Sequence, residues 1–129
     1  MNRESLELYD DDEGISVNLT LDAFDEKLIQ VVYLESEFGD DKFFDDIAFI
    51  LNNQDEFFEL AKKEISLYAN KSCGSKEIAF KLMKIYIFPD IENEFGFVFR
   101  WHGDTEHGIG IKFLGLSVKK IGSAEIAFL

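Results

Sequence analysis

The spacing of the apolar residues changes twice along this chain, and those changes constrain the fold more than any other feature of the sequence. From Ile15 to Leu21 every second residue is apolar, which is typical of a half-buried strand. Leu28–Leu34 is rich in β-branched and aromatic residues and predicts a second strand. Because only a short turn around Asp25 and Glu26 separates them, the two strands are predicted to pair as a hairpin.

Two helices are predicted next, because apolar residues recur at positions three and four apart. Asp40 is a suitable N-cap for the first helix, whose apolar stripe runs from Phe43 to Leu51. Asn53 is predicted to cap the second helix, with Glu56 three residues later in a capping-box arrangement. The apolar stripe of the second helix is Phe57, Ala61, Ile65 and Tyr68.

Alternation returns in the C-terminal half of the chain. Phe95–Trp101 and Ile109–Phe113 each alternate apolar with small or polar residues, and they predict a hairpin with one strongly aromatic face. Glu77–Met83 is too short to assign to a helix or a strand from its periodicity. Shorter apolar segments complete this part of the chain: Ile85–Phe88, Leu116–Ile121 and a last segment, Ala124–Phe128.

The order ββααβββ, with a further strand left open near the C-terminus, predicts an α+β fold. We expect a mostly antiparallel sheet with the two helices packed on one face. The 129 residues, among them 14 Phe, suffice for one core, so residues 1–129 are expected to form a single domain. Residues 1–14 are predicted to lead into this domain, with a turn at Asp10–Gly14.

Three features of the sequence predict a cytoplasmic protein. The single cysteine, Cys73, cannot form an internal disulfide. The acidic, polar segment that follows Met1 does not resemble a signal peptide. Since the chain also lacks an apolar run long enough for a membrane helix, no membrane association is expected.

Negative charge is concentrated in the first half of the chain. Residues 1–59 contain 18 Asp and Glu against 3 Lys and Arg, whereas residues 60–129 contain 8 against 10. Such a field attracts cationic partners and repels anionic membranes and nucleic acid, whose binding requires a basic stripe. A solvated face that only keeps the protein soluble is the simpler interpretation.

We predict a partner-binding surface on the outer face of the two helices and on the nearby turns. The apolar stripe of the first helix places Asp45 and Asp46, together with Asp41 and Lys42, on the face opposite the core. The candidate residues are Asp40, Asp41, Asp45, Asp46, Asp55, Glu56 and Glu59, with Asp11 and Asp12 at the rim.

The densest cluster of ionisable side chains, His102–His107, suggests an alternative function. A small enzyme could use His102, Asp104, Glu106 and His107. However, zinc-binding helices place two histidines four residues apart on one face, and here they are five apart in a predicted turn with no recognisable third ligand. A polar turn whose side chains satisfy backbone donors is the simpler interpretation, so neither catalysis nor a metal or cofactor is predicted.

Two further features invite chemical interpretations that their context does not support. A nucleophilic cysteine requires a general base as its partner, and the sequence identifies no such base for Cys73. Gly108 and Gly110 lie inside a strand pattern rather than between a strand and a helix, where a phosphate-binding loop would stand. We therefore expect these glycines to allow close packing or a bulge.

The segments Glu106–Phe113 (EHGIGIKF) and Val118–Phe128 (VKKIGSAEIAF) carry a resemblance to a known group. They resemble small bacterial domains of unassigned function that have an acidic-Trp-acidic segment, then EHG, a strand and a closing VGxxDIAF-like segment. This chain departs from that pattern in the residues that follow Trp101 and in Glu125, where aspartate is usual. Such domains look like immunity proteins of polymorphic toxin systems.

The resemblance and the charge together lead to one expectation about function. The resemblance implies an immunity protein of a contact-dependent growth inhibition or related system. The charge predicts that its partner, the C-terminal domain of a cognate toxin, is basic and nuclease-like. An acidic adaptor with a partner other than a toxin is the remaining alternative.

Overall fold

The computed structural model describes residues 7–73, 79–101 and 104–129, with side chains for all of these except 69–73 and 104–107. The strands are β1 (Leu8–Asp11), β2 (Gly14–Leu19), β3 (Ile29–Leu34), β4 (Phe80–Ile87), β5 (Glu94–Trp101), β6 (Asp104–Leu114) and β7 (Ser117–Gly122). The helices are α1 (Asp41–Asn52), α2 (Gln54–Cys73) and a short 3-10 helix, Ala124–Ala127.

The seven strands form one sheet in chain order, β1 to β7. Every neighbouring pair is antiparallel except β3 and β4, which are parallel. Parallel neighbours need a long crossover, and α1 and α2 provide it. The predicted α+β class and mostly antiparallel sheet are confirmed, as is the hairpin of β2 and β3.

The N-terminal segment differs from its prediction. Leu8–Asp11 is an edge strand paired with β2 rather than part of a leader, and the turn that follows it is confined to Asp12 and Glu13. The side chains of this strand are exposed or only half-buried, so the sequence lacks the alternation that reveals a strand. Pairing with β2 is what makes this segment extended.

Both helices pack on the same face of the sheet, as predicted. Phe57 of α2 is fully buried, and its ring centroid lies 5.2 Å from that of Phe97 and 5.0 Å from that of Phe113. Phe43 of α1 stacks on Tyr33 of β3 at 4.6 Å between centroids. The alternating side chains of the strands and the apolar stripes of the helices thus form one core.

The two helix caps follow from local hydrogen bonds. Asp40 caps α1 as predicted, since its Oδ1 accepts a hydrogen bond from the backbone N–H of Phe43 at 3.1 Å. Asn53 stands at the predicted N-cap position of α2, since its carbonyl accepts a hydrogen bond from the N–H of Phe57 at 3.0 Å. The predicted capping box is wrong, because the Asn53 side-chain amide donates to the carbonyl of Phe49 at 2.8 Å and closes α1.

The last segment of the chain packs against the face of the sheet opposite the helices. Ala127 is fully buried there, and a Cβ placed on Gly96 would lie 1.6 Å from the Ala127 carbonyl oxygen. A Cβ on Gly110 would lie 2.7 Å from the carbonyl oxygen of Ala124. The predicted close packing at Gly110 is confirmed, and Gly108 has a left-handed φ of +66°.

Candidate functional site

One end of the sheet collects the acidic turns of the chain. Gly14 at the start of β2 pairs with Leu34 at the end of β3, and Ile87 at the end of β4 pairs with Phe95 near the start of β5. Because β3 and β4 are parallel, both of them end here, and α1 begins nearby. We call this region the acidic end and define it by Asp10, Asp11, Asp12, Glu13, Glu35, Glu37, Asp40, Asp41, Asp45, Asp90 and Glu92.

Main-chain hydrogen bonds hold the two acidic runs of this end side by side. The N–H of Glu35 donates to the carbonyl of Glu13 at 2.7 Å, and the N–H of Ile15 donates to the carbonyl of Ser36 at 2.7 Å. A shallow hollow between these runs is lined by residues 10–14 and 34–38. Segments about twenty positions apart in the sequence therefore form one charged surface.

Several carboxylates of the acidic end are fixed by hydrogen bonds. Asp11 accepts from the backbone N–H of Glu13 at 3.1 Å and from the Gln30 amide at 2.7 Å, and these bonds lower the pKa of Asp11. Glu13 forms an ion pair with Lys84 and accepts a 2.6 Å hydrogen bond from the Tyr86 hydroxyl. The β1–β2 turn therefore presents its charges in a defined geometry.

Asp40 is held from two sides as well. Besides capping α1, its Oδ1 accepts a 2.8 Å hydrogen bond from the hydroxyl of Tyr33. Burial of Tyr33, and next this hydrogen bond to the carboxylate, raise the pKa of the tyrosine. Tyr33 therefore remains a neutral hydrogen-bond donor, and Asp40 remains anchored to the sheet.

Asp46 does not lie on the outer face of α1, where the sequence predicts it. It is 5% exposed, because it lies three residues after Phe43 and four before Ile50 on the buried side of the helix. Lys42 Nζ donates to Asp46 Oδ2 at 2.7 Å and to the carbonyl oxygen of Phe88 at 2.8 Å. Asp46 therefore stabilises the contact between α1 and β4 and is not available to a partner.

Burial gives Asp46 a testable pH signature. Burial raises the pKa of Asp46, and Lys42 opposes part of this effect. The folded state thus binds this proton more tightly than the unfolded chain does. Its contribution to stability is largest below the ordinary aspartate pKa of about 4 and declines as the pH rises through the raised pKa.

We therefore compare the wild type with Asp46→Asn, which cannot titrate. The free energy of unfolding of the wild type, minus that of the variant, should decrease between about pH 3.5 and pH 7. Urea unfolding of both proteins at each pH measures this difference. A difference that increases with pH would contradict the assignment.

The structure divides the predicted partner-binding residues into two groups. Asp11, Asp12, Asp40, Asp41 and Asp45 belong to the acidic end. A separate group comprises the exposed Asp55, Glu56 and Glu59 of α2, which line another hollow together with Leu60 and Leu116.

The candidate set also missed residues that the fold adds to the acidic end. Asp90 and Glu92 come from the near-neutral half of the chain and line a hollow together with Asp45. Glu35 and Glu37 belong to an acidic run of the sequence, but the predicted partner-binding residues do not include them. Glu35 has a left-handed φ of 58°, which is uncommon for a residue with a Cβ.

The predicted His102–His107 turn falls largely outside the described residues. Residues 104–107 lie in β6 without described side chains, residues 102–103 are not described, and neither is the side chain of Cys73. Within the described part of the chain, no group of three or more His, Cys, Asp or Glu is arranged to hold a metal ion. None of the helices described is long and apolar enough to cross a membrane.

Comparison of the chain with protein-family models, with curated proteins and with solved structures found no match. Charge and geometry are therefore the observations that bear on function. Both are most distinctive at the acidic end.

Proposed function

We propose that this protein is an immunity protein that binds a basic, nuclease-like toxin domain with its acidic end. The observation that supports the proposal most strongly is the convergence of three separate stretches of chain on one charged surface. These stretches contain Glu13, Glu35 and Asp90, and the fold brings them to the same end of the sheet. Two lysines at this surface, Lys42 and Lys84, are already paired with Asp46 and Glu13.

The proposed mechanism is occlusion of the toxin's active site. A nuclease needs a basic groove to bind the phosphates of its substrate, and a carboxylate-rich surface competes for that groove. Complementary charge would also accelerate association, up to about 10⁸–10⁹ M⁻¹s⁻¹ at low salt. Rapid capture suits a protein that must neutralise a toxin before the toxin acts in the cytoplasm.

The concentration of like charge gives a second reason to expect a cationic partner. Carboxylates gathered on one surface repel one another and lower the stability of the free protein. A basic partner would relieve that repulsion on binding. An adaptor that binds some other basic protein would gain in the same way, so the experiment must separate these two functions.

Immunity genes lie directly after the genes of their toxins, so the test uses the product of the gene immediately upstream. We expect its C-terminal domain to arrest growth when expressed alone and to be tolerated when this protein is co-expressed. The purified domains should form a complex, measured by isothermal titration calorimetry. Growth arrest that co-expression does not relieve, or an upstream product that does not bind, would overturn the proposal.

A further inference from the structure

Two large apolar side chains are exposed among the carboxylates of the acidic end. Phe38 is 75% exposed and borders the hollow between residues 10–14 and 34–38. Ile91 is 42% exposed and borders a neighbouring hollow. Leu34, Glu35 and Ser36 line both hollows, so Phe38 and Ile91 stand on either side of one shared wall.

The backbone around Phe38 has defined contacts. The Ser36 hydroxyl donates to the carbonyl oxygen of Phe38 at 3.0 Å. The next residue, Gly39, is tightly enclosed, since a Cβ there would lie 2.9 Å from Leu8 Cδ1 and 3.3 Å from Phe43 Cδ2. The chain thus has little space to draw Phe38 into the core, where Phe43 is already buried.

An apolar centre surrounded by charge is the arrangement found at protein interfaces. Binding energy at such interfaces is concentrated in a few large side chains near the centre, whereas charges at the rim tune the association rate. The acidic end has this arrangement, with Phe38 and Ile91 near the shared wall and Glu37, Asp12 and Asp90 around them.

We infer that Phe38 and Ile91 are the apolar anchors of the interface with the basic partner. This inference rests on the proposed function and specifies its contact. Lysine and arginine have apolar stems and charged heads, so their stems would lie on Phe38 and Ile91 while their heads reach Glu35 and Glu37. An arginine guanidinium would also stack on the Phe38 ring.

The test measures binding of a purified, catalytically inactive form of the upstream toxin domain to the wild type and to five variants, the fifth being Leu116→Ala in the hollow beside α2. Phe38→Ala is expected to weaken binding by roughly tenfold or more, mainly through faster dissociation, and Ile91→Ala by a smaller factor. Phe38→Leu should lose less than Phe38→Ala, since it removes the ring but keeps an apolar contact. Leu28→Ala is the matched control, because Leu28 is 68% exposed near the start of β3, at the opposite end of the sheet.

The outcomes separate this inference from the proposed function. If the wild type binds the toxin domain and Phe38→Ala and Ile91→Ala bind equally well, the anchors are wrong while the immunity function stands. If Leu116→Ala weakens binding and Phe38→Ala does not, the partner occupies the hollow beside α2 and the anchors are again wrong. If the wild type does not bind, the proposed function fails and the inference fails with it.

Discussion

Replacing Phe57 with alanine should destabilise the protein by about 3–5 kcal/mol, the range typical of a large buried aromatic. The Phe57 side chain is fully buried between α2 and the sheet. Its ring contacts four others, with centroids 5.0 to 6.1 Å away: Phe49, Phe95, Phe97 and Phe113. Truncation would remove its buried apolar surface and leave a cavity where α1, α2, β5 and β6 meet.

The neighbouring Phe58 offers a matched control. It is half-buried at the margin of the core and contacts Phe24 and Phe80, with centroids 5.4 and 5.8 Å away. Phe58→Ala leaves a site that solvent can reach, so its cost should be well below that of Phe57→Ala. Urea unfolding of both variants gives the comparison, and equal losses would show that α2 does not pack as described.

A loss of stability of this size would also affect function. Domains are stable by only about 5–15 kcal/mol, so Phe57→Ala would remove a large share of the total. Since α1 contacts α2 through Phe49 and Phe57, loosening α2 would also loosen the helix that presents Asp41 and Asp45. Phe57→Ala is therefore expected to weaken the proposed protection through reduced stability, although Phe57 is buried and cannot itself contact a partner.

The sequence was sufficient to predict the elements whose burial is periodic. β2, α1, α2, β5 and β6 each have an apolar face that the spacing of their residues reveals. β3 is buried on both faces, and its β-branched and aromatic residues predicted it instead. The N-cap at Asp40 was also predictable, because that bond joins residues three positions apart. The hydrogen bond of the Asn53 side chain was not predictable, since Asn53 lies between two helices and its side chain could bond to either of them.

The elements that were missed depend on contacts distant in the sequence. β1 is extended because it pairs with β2, and its exposed side chains show no apolar face. The 3-10 helix Ala124–Ala127 is fixed by close packing on Gly96 of β5 and Gly110 of β6. The buried Asp46 is paired with Lys42, and Lys42 also donates to the carbonyl oxygen of Phe88, a residue distant in the sequence.

The candidate site was predictable in part for the same reason. The acidic runs are plain in the sequence, but their assembly depends on which strands are neighbours. Asp90 and Glu92 join the surface because β4 runs parallel to β3 and ends beside it, and no local pattern encodes that pairing. The prediction of one surface on the outer face of both helices includes Asp55, Glu56 and Glu59, whereas α2 places these three residues beside Leu116.

Reversing the charges of Asp41 and Asp45 to lysine should slow association with the proposed partner, a basic toxin domain, at least tenfold at low salt. Both residues are exposed on α1 at the acidic end. Steering by complementary charge accounts for rate differences of this size and larger. Asp46 must be left unchanged, because Asp46→Lys would bury a second ammonium group beside Lys42 and damage the fold instead.

The matched control makes the same change in net charge elsewhere on the molecule. Asp22 and Glu26 are exposed in the connection between β2 and β3, at the opposite end of the sheet. Asp22→Lys with Glu26→Lys should slow association much less than the reversal at Asp41 and Asp45. If both double variants slow association equally, overall charge rather than the acidic end governs the encounter.

The effect of the Asp41/Asp45 reversal should depend on salt, and the variant should keep its fold. The rate difference between the wild type and the Asp41/Asp45 variant should shrink as salt rises, because the screening length falls from about 10 Å at 0.1 M to about 3 Å at 1 M. Lysine at position 41, in the first turn of α1, opposes the helix dipole and should lower the free energy of unfolding by about 0.3–1 kcal/mol. The substitutions also relieve repulsion among the neighbouring carboxylates, which offsets part of this loss. The variant should therefore remain folded. A folded variant that associates as fast as the wild type at low salt would show that the acidic end does not meet the partner.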